Sequence, residues 1–447
     1  MRAAFLFVLF ASLLIRTVGA PQAGVLGWTW LTLMQPQRLV WGFFETFQFN
    51  MILALVTFGS WLFSREPKRP PLNVAMLLWI CFMVFITITT VFALSPEPAW
   101  KRWDSTFKVM ALGIFVASIM TNQLRIHALV WVIVLSLGYF GVKGGAFTVL
   151  TGGAGRVVGP ESTGLGDNNN LALALCALLP LINYLRLQSA HRLVRLGAAG
   201  AMGLNAIAIL GTFSRGGLVG LLITGGYLWW KSRQKVMIAL FALVMVVPAI
   251  RFMPETWTAR MQTIESADQD ASFQGRLASW KFAINIAIAR PLTGGGFNAS
   301  EDPFVFQYYN PGSVVHFGLA AHSLYFQLLG DHGFIGLGLY LGLVGTAWLY
   351  AGRARRRARS DPALSWAADL AAMIQVAIVG YMVGGAALSM AYYDLIFLLV
   401  SLSIALHELV VRGEAREPLR LPSPFRAVVP RSRPVPAAEI AKNRPTS

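Results

Sequence analysis

The chain has 447 residues, 56% of them hydrophobic and only 13% charged, about half the charged share of soluble domains, with a formal net charge of +17. Apolar runs of roughly 18–22 residues recur from end to end, which excludes a soluble globule. Continuous runs such as 72–94 also exclude a β-barrel, whose strands alternate apolar and polar residues. A backbone in lipid must hydrogen-bond to itself, so the sequence predicts an all-α polytopic membrane protein.

Twelve spans are predicted, near 3–19, 43–63, 72–94, 105–121, 126–142, 169–186, 194–213, 215–231, 236–253, 334–351, 366–389 and 393–411. The first also reads as a signal peptide, because Met1-Arg2 precedes an apolar stretch that ends in Val18-Gly19-Ala20; Arg16 fits neither reading well. Four regions follow: 1–253 with nine spans, a polar loop at 254–333 carrying short amphipathic helices, 334–411 with three spans, and a basic tail at 412–447. The tail is rich in Pro, Arg and Ala without apolar periodicity, so a disordered cytoplasmic extension is expected. Cys81 and Cys176 both fall in predicted spans and imply no disulfide framework.

Lys and Arg set the orientation. With the N-terminus taken as cytoplasmic, the inner loops are 64–71, 121–125, 185–195, 231–235, 352–362 and the tail, and with Arg2 they hold about two thirds of the 37 basic residues. Every inner loop contributes, so the +17 reflects orientation and attraction to anionic inner-leaflet lipid rather than binding to nucleic acid. The stretches 20–42, 95–104, 143–168, 212–214, 254–333 and 390–394 are then expected outside. Loops as long as 254–333 are usually functional.

The polar residues at the outer span ends are the candidates for chemistry. Arg215 lies in GTFSRGG, where Gly211, Gly216 and Gly217 permit a tight turn between helices, and an arginine there either meets an anion or snorkels to the interface. Arg276 begins a helix-like stretch over 274–290 whose apolar stripe is expected to be Leu277, Trp280, Ala283, Ile284, Ala287 and Ile288, with Trp280 at headgroup depth. Pro291 stops it. Gly294-Gly295-Gly296 follows, either as a plain helix terminus or as a loop with amides for an anion; no P-loop Lys-Ser or Lys-Thr comes after it. His322 opens an amphipathic run to Gly330 with Leu324, Tyr325, Leu328 and Leu329 on one side, and an imidazole is suited to taking a hydroxyl proton near neutral pH. His316, six residues earlier, forms no zinc-site spacing with it and suits a surface loop. Asp167 and Asn168 either cap the sixth span or face glycan hydroxyls, and Tyr392, Tyr393 and Asp394 either complete a site wall or form an interfacial aromatic belt.

Taken together, SRGG at 214–217, GRLASW at 275–280, RPLTGGGF at 290–297 and HSLYFQLLGDHGF at 322–334 resemble the O-antigen ligase and polymerase superfamily of bacterial polysaccharide assembly. Residues 28–43, 61–71, 127–145 and the DNN at 167–169 are similar to O-glycosylation ligases associated with exosortase systems. His322-Ser323 departs from the His-Asn of many members. The resemblance implies a GT-C-like fold in the bacterial inner membrane. It also implies transfer of a glycan from undecaprenyl diphosphate to an acceptor hydroxyl (lipid A core, protein or another polymer) on the periplasmic face. By the same resemblance, Arg215 and Arg276 bind the diphosphate and His322 activates or orients the acceptor. Arg156, Asp167, Asn168, Trp280, His316 and Tyr325 are candidate contacts to donor or acceptor. Two guanidinium groups can stabilise a leaving diphosphate, so no metal or cofactor is implied, and a single displacement inverts the anomeric centre. A polymerase would extend glycan on its lipid carrier instead. A transporter would be expected to show inverted repeats and broken helices at the membrane midplane.

Overall fold

In the computed structural model, helices stand at eleven of the twelve predicted spans; the twelfth, 236–253, lies outside the described residues. The described residues are 2–40, 47–66, 68, 70–161, 163–231, 235, 271–313 and 320–413, so His316, positions 254–270 and the tail from Glu414 also fall outside them. The helices are α1 (Arg2–Gly19), α2 (Pro21–Met34), α3 (Phe49–Phe63), α4 (Val74–Val91), α5 (Pro96–Ile119), α6 (Gln123–Leu150), α7 (Asn168–Gln188), α8 (Arg192–Gly211), α9 (Arg215–Lys231), α10 (Ala271–Ala289), α11 (Pro303–Tyr309), α12 (Leu324–Ala358), α13 (Ser365–Gly384) and α14 (Asp394–Arg412). Seven elements among the described residues are long and apolar enough to cross a membrane.

The interior is set by helices that are apolar all round. Every residue of α7 from Leu171 to Leu185 is buried, as is α14 from Asp394 to Leu406, and such helices must be enclosed by others. Helices α6, α8, α9 and α13 enclose α7, while α12 packs on α4, α10, α13 and α14. On the periphery, α4 buries Met76, Trp79, Phe82 and Ile86 and leaves Leu77, Val84, Ile88 and Val91 exposed. An outer row this apolar suits a hydrocarbon surround.

Several expectations are corrected. Residues 20–42 are not simply an outer loop: Pro21 starts α2, which buries Val25, Trp28, Leu31 and Leu33. Helix α2 folds back along α1, since a Cβ on Gly27 would lie 2.3 Å from Leu13 and one on Gly24 2.5 Å from Thr17. Helices α1 and α3 then run in the same direction: the rings of Phe10 and Phe49 stand 4.7 Å apart, and Ser60 Oγ donates to Val18 O at 3.0 Å. The Arg2 end of α1 therefore lies at the start of α3, away from the basic loops, which reverses the orientation expected for the N-terminus. Arg16 takes the place of Arg2 near the basic end, so the charge balance is unchanged and the remaining helices keep their directions. The loops expected at 95–104 and 143–168 are shorter, because α5 already begins at Pro96 and α6 runs on to Leu150.

A further correction concerns 324–333. Helix α12 begins at Leu324 and continues through a kink at Gly333, whose φ of 65° and ψ of −166° suit glycine alone. The triglycine segment props the kink. Gly295 N donates to Gly330 O at 2.8 Å, Gly296 N to Asp331 O at 2.9 Å, and Phe334 N to Pro291 O at 3.1 Å. With the Gly294 amide on Arg290 O, all three glycine amides are engaged within the protein, and the plain structural reading of GGG holds.

Polar contacts gather at the two ends of the bundle. At the basic end, Arg125 forms a two-pronged ion pair with Glu66 (2.6 and 2.8 Å), Asn73 donates to Glu408 at 2.8 Å, and Gln188 donates to Asp369 at 2.6 Å. At the other end, Ser95 donates to Asp302 at 2.5 Å, Leu94 N to Gly295 O at 2.9 Å, and Asn168 to Thr212 O at 2.7 Å. The latter is the site end.

Candidate functional site

Residues 211–217 form the α8–α9 corner. Phe213 takes a left-handed φ of 57°, and Ser214 Oγ accepts from Gly217 N at 3.0 Å, which caps α9 and makes Arg215 its first residue. A Cβ on Gly217 would come within 2.6 Å of Ala172, so this glycine is required for α9 to approach α7. Gly216 faces Ala387, with a Cβ there 3.9 Å from the alanine methyl, so the start of α9 lies against the connection between α13 and α14. Arg156 is exposed beside the same corner, since Val157 N donates to Gly211 O at 2.8 Å.

Asp167 is the N-cap of α7, accepting from Asn169 N and Asn170 N, as the capping reading expects. Asn168 is buried and committed to Thr212 O, which ties α7 to the corner carrying Arg215.

Helix α10 presents a face that matches the expected stripe only in part, at Ala283, Ala287 and the packed Trp280. It buries Phe282, Ala283, Ile286 and Ala287, with Phe282 stacked on Phe306 of α11 at 5.1 Å, and leaves Leu277, Ile284 and Ile288 exposed. Both faces are apolar, so periodicity alone could not choose between them. Asn285 to Tyr309 O (2.8 Å) and Asn310 to Ala278 O (3.1 Å) lock α10 to α11. Arg276 lies one turn before Trp280, and its buried Nε has no hydrogen-bond partner within the protein. Trp280 stacks on Phe326 at 4.9 Å and donates its indole N–H to Ala321 O at 2.9 Å, so its polar handle serves the protein.

His322 follows directly. It holds a φ of 47°, costly for a residue with a side chain, and its backbone N–H donates to Ser389 Oγ at 2.7 Å. Leu324, Leu328 and Leu329 are buried as the amphipathic run predicts, and Tyr325 spends its hydroxyl on Met382 O at 3.0 Å. Burial draws the His322 imidazole below its ordinary value of 6.5; the nearby Arg276 charge lowers it further and Asp167 opposes that. The lowered value favours the neutral ring, the form able to accept a proton. The charges of Arg276 on α10 and of Asp167 at the head of α7 both act on the His322 ring.

Only part of a second cluster was legible in the sequence: Tyr392, Tyr393 and Asp394 stand among the candidates there, whereas Arg102, Asp331 and His332 do not. Tyr392 and Tyr393 are buried rather than forming an interfacial belt, and Tyr392 donates to Asp331 at 2.9 Å beneath the Arg102 guanidinium, 5.6 Å from the ring centre. The charges of Glu301, Asp331 and Asp394 all reach Arg102. His332 Nδ1 lies 2.7 Å from Thr89 Oγ1 and its Nε2 has no partner, as is true of Asp394 Oδ1 and Tyr393 OH. The available signal was an Asp-His pair in the first turns of an apolar span, where ionisable residues are rarely incidental.

Two family models match parts of the chain. Residues 1–190 match a family of unknown function (DUF5935), and residues 200–341, which carry Arg215, Arg276, His322 and the kinked start of α12, match the O-antigen ligase family. No curated protein matches the chain. Over residues 200–341 the chain is similar to the O-antigen ligase family, and its long apolar helices are those of a multi-pass membrane protein.

Proposed function

We propose that the protein is a glycosyltransferase of the bacterial inner membrane that moves a glycan en bloc from undecaprenyl diphosphate to an acceptor hydroxyl on the periplasmic face. The observation that carries this reading is the placement of His322 at the end opposite the basic loops, in a left-handed turn held by Ser389 Oγ, where the charges of Arg276 on α10 and Asp167 at the head of α7 act on its ring. In the reaction, His322 takes the acceptor proton as the hydroxyl oxygen bonds to the anomeric carbon. The bond from that carbon to the phosphate oxygen breaks, and the electron pair leaves with the diphosphate. Arg215 and Arg276 meet the growing negative charge, which guanidinium groups do well in a site shielded from water. Transfer needs no metal in this scheme, and one displacement inverts the anomeric carbon. Asp167 favours the imidazolium that forms. Arg156 is an exposed contact for the glycan or diphosphate, and His316 belongs to the same proposal as a surface contact.

The finer assignment to exosortase-associated O-glycosylation ligases rests on the sequence resemblance. The specific experiment incubates the purified full chain with a defined undecaprenyl-diphosphate glycan and candidate acceptors, then identifies products by mass. Glycan joined to a second acceptor supports a ligase, whereas lengthened lipid-linked glycan identifies a polymerase. Absence of both products with every acceptor offered contradicts the reading.

A further inference from the structure

The peptide unit between Ala321 and His322 is held from both sides. Its carbonyl accepts the Trp280 indole N–H at 2.9 Å, and its N–H donates to Ser389 Oγ at 2.7 Å. The two partners come from distant parts of the chain, α10 and the connection between α13 and α14. Each is itself braced. Trp280 stacks on Phe326 with an interplanar angle of 17°, and the Ser389 connection is tied back by Tyr381 OH to Met390 O at 2.6 Å and by Ala391 N to Gln327 Oε1 at 3.2 Å. Immediately after the clamped peptide, His322 adopts a φ of 47°, a conformation that residues with side chains persist in only when their surroundings impose it.

The geometry points to Trp280 and Ser389 as positioning residues for His322: by fixing the plane of the Ala321–His322 peptide they hold the backbone in its left-handed turn and thereby aim the imidazole. A relaxed backbone would return φ to the ordinary negative region and swing the Cα–Cβ bond to a different direction, leaving the ring away from Arg276 and Asp167. Neither side chain has to touch substrate for this. The interaction is also selective for atoms: Ser389 is required as a hydroxyl acceptor and Trp280 as an N–H donor. This assignment rests on the reading of His322 as the group that handles the acceptor proton.

The test is steady-state transfer by purified full-length variants, compared with His322→Ala in the same assay. Ser389→Ala is expected to lower kcat by about a hundredfold with donor KM unchanged, the effect of displacing a reacting group by roughly an ångström. Ser389→Thr, which restores the hydroxyl, is expected to recover most of that loss. Trp280→Phe keeps the stacked ring and removes only the N–H, so it remains informative if the alanine variant does not fold, and a fall of about tenfold in kcat is expected. Wild-type kcat in folded Ser389→Ala or in Trp280→Phe overturns the assignment, as does a fall expressed only in KM. Wild-type kcat in His322→Ala would instead overturn the functional reading, and this assignment with it, so the two failures are distinguishable.

Discussion

The two ends of the bundle hold their charged groups in different proportions, although each contains both paired and unpaired buried polar atoms. At the basic end, Arg125 meets Glu66 with both prongs of its guanidinium, and Glu408 and Asp369 are each bonded by an amide side chain. At the site end, Arg102 Nε, Arg276 Nε and Asp394 Oδ1 are buried without a hydrogen-bond partner, and His322 sits in a strained backbone conformation. Unpaired buried polar groups and backbone strain both cost stability, and folds tolerate them where function requires it. In the proposed function, the basic end helps hold the helices together and the Arg276 guanidinium at the site end meets an incoming diphosphate.

Breaking the site end should therefore cost activity. Arg276→Ala and Arg215→Ala are each expected to lower kcat by about 10²–10³-fold, the size of losing one preorganised stabiliser of developing charge, while the protein elutes and melts like wild type. A smaller effect separates field from structure. Asn caps a helix about as well as Asp, so Asp167→Asn should leave stability nearly unchanged. Because the Asp167 charge raises the His322 value, its removal should move the acid limb of the pH–rate profile to lower pH; in the wild type that limb should already lie below 6.5. A limb that stays in place would separate Asp167 from the base. At the basic end the expectation reverses: Glu66→Gln should reduce stability by ~1–3 kcal/mol, read as a lower unfolding midpoint, with unchanged kcat in the folded fraction.

The same contrast shows what the sequence could convey. Spans such as 169–186 and 393–411 are legible because apolar length is a local property, and Asp167 reads as a cap because capping is decided within three residues. The direction of α1 was not legible. Exchanging Arg2 for Arg16 at the basic end leaves the charge count the same, and only the pairing of Phe10 with Phe49 and of Val18 with Ser60 reveals the parallel course. The buried face of α10 was equally hidden, since Phe282 and Ile286 compete with Ile284 and Ile288 on nearly equal apolar terms. Ser389 has no local signature at all: its role exists because a peptide 67 residues earlier in the chain comes to rest against it.

The most direct measurement is transfer of glycan from a defined undecaprenyl-diphosphate donor by purified wild-type protein and by His322→Ala, with products identified by mass. The account predicts transferred product from the wild type and a rate at least about 10²–10⁴-fold lower from the variant, the range for removing a positioned general base, with the variant still folded. A folded His322→Ala protein that transfers glycan at the wild-type rate would contradict it.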